Sequence, residues 1–138
     1  MLLAALQCNL ISTATFQWSP GTNHVSFKSL KPDAQNGFFM HHPISHKIIG
    51  KGREAYFDAP PNPSDASLVA NVEFMINVHK WYNERTADVI KTFKDATDPF
   101  GGNMLDNTVI PYFTETAMAT HAVGPKPAMF FGGKALGM

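Results

Sequence analysis

Five histidines and one carboxylate in this chain are candidates to bind a metal or move a proton: His41, His42, His46, His79, His121 and Glu115. Glu115, within Thr114-Glu115-Thr116, and His121 a little further on follow directly from Leu105 to Phe113, a run that reads as a buried strand. A carboxylate and an imidazole leaving the end of such a strand stand where open α/β sheets bind ligands. Together they suit a metal or proton-handling site. Three more histidines, His41, His42 and His46, are packed into Met40-His41-His42-Pro43-Ile44-Ser45-His46, which reads as a loop. Imidazole binds Zn²⁺, Fe, Cu or Mn²⁺ through a neutral nitrogen, and a tight cluster can offer more than one ring to one ion. The plain alternative is a solvated histidine tract beside a solvent-facing carboxylate. No HExxH signature is present to decide between them.

His79 has two readings. It falls on the apolar stripe of a helix, where a core histidine bonded to a carbonyl or a neighbouring side chain is the common case. Its rival is a helix-borne ring facing the His41 to His46 segment. His24, after Gly21-Thr22-Asn23, reads as an exposed loop residue.

The elements that must position these groups follow from periodicity. Leu2 to Gln7 reads as the tail of a short helix, and Ser12 to Trp18 has the β-branched and aromatic bias of a strand that ends at Pro20-Gly21. An irregular loop region, 19–63, follows; loops of that length are functional or disordered more often than merely connecting. Ser64 or Asp65 can cap a helix beginning after Pro63, with Leu68, Val72, Met75, His79, Tyr82, Val89 and Phe93 recurring at helical spacing. That helix should stop before Asp98-Pro99, since proline disfavours helical geometry in the residue before it. Gly101-Gly102 then turns the chain into the Asn107 to Phe113 strand, and Ala128 to Phe131 forms another, ended by Gly132-Gly133. Strand, loop, helix, strand, strand is the order of an α/β layer with a crossover helix.

Composition narrows the classes. The chain has 138 residues, with eleven basic and eleven acidic side chains and no Lys/Arg cluster, so the electrostatic footprint of a nucleic-acid binder is missing. Its length and apolar fraction suit one ordinary globular domain over 1–138. The single Cys8 excludes an internal disulfide, a zinc ribbon and an attached c-type haem. No run approaches the ~18 apolar residues of a membrane span, and the apolar start lacks the basic flank of a signal peptide.

The order Leu6-Gln7-Cys8 to Phe16, His41-His42-Pro43-Ile44-Ser45-His46, the helix around His79, Leu105-Asp106-Asn107-Thr108 and Gly132-Gly133 resembles the C-terminal half of the bacterial domain-of-unknown-function family 1552. That family is similar to the alkaline-phosphatase-like superfamily. The resemblance covers most of the chain through short motifs. It implies a partial three-layer α/β/α domain of alkaline-phosphatase-like type with a mostly parallel sheet. It also implies a divalent metal (Zn, Mn, Fe or Ca) held by His41, His42, His46, Glu115 and His121, and a periplasmic or secreted location. This sequence departs from the pattern in lacking an Asp between the loop histidines, in carrying Ala117 and Met118 where relatives have glycine and arginine, and in having no match to the early nucleophile loop.

Two functions follow as expectations. Taken alone, the chain is a non-catalytic interaction or structural module that presents aromatics such as Trp18, Phe27, Phe38, Phe39 and Tyr56 and associates with another chain or with the missing part of the domain. In an intact parent it would serve a metal-dependent hydrolase of phosphate or sulfate esters, with the nucleophile supplied from elsewhere.

Overall fold

The structure is a computed structural model that describes residues 1–19, 25–30, 40–48, 66–114 and 126–138. Its elements are α1 (Leu2–Gln7), α2 (His41–Lys47), α3 (Ala66–Asp95), β1 (Val109–Phe113) and β2 (Ala128–Gly132), with short 3-10 turns at Lys28–Leu30 and Lys134–Leu136. The chain divides into two compact units. One holds Met1–Gln17, Asn83–Thr114 and the C-terminal stretch from Pro125, and the other holds Trp18–Tyr82 together with Glu115–Gly124. No helix among the described residues is long and apolar enough to cross a membrane.

α3 dominates the chain because its apolar residues recur at three and four. In the unit containing its N-terminal half, Phe74, Met75, Val78 and Tyr82 are buried and meet Phe27 and Ile44 in one core. Trp18, Leu30, Ile48 and Trp81 pack around that core. The aromatic residues meet edge to face, as ring quadrupoles favour: Phe27 stands 5.5 Å from Tyr82 and 5.6 Å from Trp81 between centroids. The expectation that Trp18 and Phe27 form a partner surface is therefore corrected. Phe27 is a core residue and Trp18 is packed against the core, while Phe38, Phe39 and Tyr56 lie outside the described residues.

In the other unit α3 ends on charge pairs, Arg85 with Asp88 at 3.1 Å and Lys91 with Asp95. Beyond its end the chain reverses tightly. Asp98 is buried, and its carboxylate accepts the Phe100 N–H at 2.7 Å. Gly101 and Gly102 take positive φ, which a glycine adopts without the Cβ penalty. Met104 is then buried, as is Phe93 of α3, and the Met104 and Leu105 N–H groups donate to the Ala96 and Phe93 carbonyls.

The expected mostly parallel, three-layer sheet is contradicted. Among the described residues the sheet has two strands, and β1 pairs with β2 antiparallel in the register Val109 to Gly132, Pro111 to Phe130 and Phe113 to Ala128. The crossover argument needed an early strand at Ser12 to Trp18, but that segment has no strand pairing. Among the described residues no earlier strand then precedes the helix, and β1 and β2 pair directly as an antiparallel ribbon. The expected burial of the strand leading to Glu115 is corrected as well: Pro111 and Phe113 of β1 are exposed and the rest is half-buried.

Candidate functional site

The histidine segment 41–46 is a helix, not a loop. Met40 is extended and stands at the N-cap, and the Ile44 N–H donates to the Met40 carbonyl at 3.3 Å. Pro43 does not break α2 because it lies in the first turn, where backbone N–H groups have no partner within the helix. Ile44 is buried in the core and fixes which face of α2 turns inward.

That rotation sorts the histidines into two pairs. The ring of His41 meets the ring of His79 on α3, centroids 5.5 Å apart and planes at 74°, and lies 6.5 Å from the Tyr82 ring. Burial, then the neighbouring His79, then His42 pull the His41 pKa down from 6.5 to about 4. His79 leaves much of its side chain in solvent, yet the packing around its ring also lowers its pKa by desolvation. His41 is therefore neutral at physiological pH. His79 thus contacts the His41 to His46 segment rather than lying in the core.

The second pair is His42 and His46. One helical turn places them on the same side of α2, with centroids 4.7 Å apart and planes at 72°. They lie about 160° around the helix from buried Ile44, on the outward face. His46 is exposed and His42 half-exposed. The Ser45 hydroxyl donates to the His42 carbonyl at 2.7 Å.

Of the five ligands expected from the sequence, His41, His42 and His46 are thus brought onto one short helix but not into one sphere, and Glu115 and His121 lie outside the described residues. Among the described residues no group of three or more His, Cys, Asp or Glu side chains has the arrangement to hold a metal ion. What these imidazoles can do is ligate in pairs or exchange protons. The sequence signal for the outward pair was the spacing of four between His42 and His46, which matters only once the segment is helical.

A different surface belongs to the hairpin. Residues paired across an antiparallel ladder share a face, so Val109, Pro111, Phe113, Ala128 and Phe130 lie together. Phe113 and Phe130 are each 62% exposed, and Pro111 and Ala128 are also exposed. On the opposite face Ile110, Tyr112 and Phe131 are half-buried and Met129 is 42% exposed, and the Tyr112 hydroxyl bonds Asn83 of α3 at 3.3 Å.

Set against protein-family models, curated proteins and solved structures, the chain matches none.

Proposed function

We propose that this chain is a non-catalytic interaction module whose docking surface is the apolar face of the β1–β2 hairpin, covered by a second copy of this chain. The observation that carries the reading is the exposure of Phe113 and Phe130 on one face with Pro111 and Ala128. A ribbon of two strands is at best marginal in water unless a further strand or a helix covers its apolar face. Contiguous exposed apolar surface on a soluble domain marks an interaction site.

The hairpin lacks the charged residues that keep such a surface from associating. Pro111 lacks an N–H and blunts β1 as an edge, which leaves the flat apolar face as the larger adhesive surface.

In a purified sample the available partner is a second copy. Amide hydrogen exchange in β1 and β2, measured over a range of protein concentration, should slow as concentration rises. Exchange in both strands that is independent of concentration would contradict the proposal.

A further inference from the structure

We propose that His42 and His46 form a two-imidazole chelate for a borderline divalent transition cation, with water completing the coordination. The site lies on the outward face of α2, and it is separate from the hairpin surface and independent of the function proposed for it.

An ion ~2 Å from one nitrogen of each ring sits roughly 3 Å from each ring centre, so a near-tetrahedral angle puts the two centres about 5 Å apart. The observed centroid separation is 4.7 Å. Two histidines one turn apart on a helix are also the ligand pair of helical zinc signatures, with a carboxylate as base between them. Here Pro43, Ile44 and Ser45 occupy the intervening positions, so the chelating half of that arrangement is present without the base. The inference is accordingly one of binding, with no reaction attached.

Local structure prepares the pair. Ile44, buried on the opposite side, holds α2 in place and directs His42 and His46 outward. Pro43 restricts the backbone between the two rings and lowers the entropy lost on ordering them. Neutral imidazole suits Zn²⁺, Ni²⁺ and Cu²⁺, with Cu²⁺ the tightest, whereas Ca²⁺ and Mg²⁺ require oxygen ligands. Zinc is the ion common to this preference and to the set the resemblance implied, and calcium falls outside it.

The test is calorimetric titration of the whole chain with Zn²⁺ at neutral pH, for the wild type and for His42→Gln, His46→Gln and His79→Gln. Removing one arm of a chelate removes the high effective concentration of the other, so the first two variants should bind about tenfold or more weakly. His79→Gln, whose ring faces His41, should bind like the wild type. Wild-type affinity in His42→Gln and His46→Gln, or a loss confined to His79→Gln, would overturn the proposal. A second measurement needs no substitution: substoichiometric Cu²⁺ should broaden the ring proton resonances of His42 and His46 before those of the other histidines. Earlier broadening at His24, His79 or His121 would place the ion elsewhere and refute the chelate.

Discussion

The imidazoles of His41 on α2 and His79 on α3 stand edge to face with centroids 5.5 Å apart, each a neighbour that the other's proton would repel. The His41 pKa falls from 6.5 to about 4 on folding, so between those values the unfolded chain binds more protons than the folded one. Stability therefore rises with pH across that window, and acidification from about 6.5 toward about 4 removes it. His79, lowered in the same direction, adds to the slope. His41→Gln should flatten this dependence by roughly 1–2 kcal/mol between about pH 7.5 and about pH 5, allowing for partial exposure. Urea unfolding of both proteins at the two pH values measures it, and parallel losses in both would show that the pair does not titrate as described.

Met75 is 5% exposed within the core that α3 shares with Phe27 and Ile44. Met75→Asp would bury an unpaired carboxylate and should cost more than ~3 kcal/mol, enough to unfold that unit. Glu73→Ala, exposed on the same helix, should stay within about 0.5 kcal/mol. Thermal unfolding followed by circular dichroism compares them, and a well-folded Met75→Asp would remove the stripe from the core.

Gly132 ends β2 with φ +81°, and a Cβ built there would run into the Thr108 and Leu105 carbonyl oxygens. Gly132→Ala should therefore disrupt the β2 terminus and cost more than ~2 kcal/mol, since both the backbone conformation and the space reject a side chain. Gly137 has a similar φ, +82°, but open space around its Cβ position. Gly137→Ala should cost only about 1 kcal/mol. Denaturant midpoints for the two variants separate the steric contribution from the conformational one; equal losses would contradict the close approach.

Much of the secondary structure was legible because α3, β1 and β2 are each specified locally. Apolar spacing marks α3 from just after Pro63 to just before Asp98-Pro99, and Gly132-Gly133 marks the end of β2. Ser12 to Trp18 shows the limit of that reasoning. β-branched and aromatic residues favour a strand only where another strand pairs with them, and here none does. The sheet's direction failed with it, since a parallel sheet was inferred from a strand that is absent.

α2 was misread for a different reason. Pro43 and the polar residues around it look like a loop until the proline is recognised as lying in a first turn. Read as a loop, the segment groups all three histidines, whereas the helix separates His41 from His42 and His46, whose spacing of four is significant only on a helix. The contact of His41 with His79 joins residues far apart in the chain. Periodicity placed His79 on the buried stripe, whereas the structure buries Phe74 and Val78 and leaves His79 at the margin, exposed and against His41.

The apolar hairpin face is the centre of this account, and sedimentation velocity over a wide concentration range tests it most directly. The wild-type chain should associate reversibly as concentration rises, and the double variant Phe113→Ser, Phe130→Ser should remain folded and monomeric, because both side chains are largely in solvent before association. A wild-type chain that stays monomeric throughout, or a double variant that associates as strongly as the wild type, would contradict the claim that this face is a docking surface.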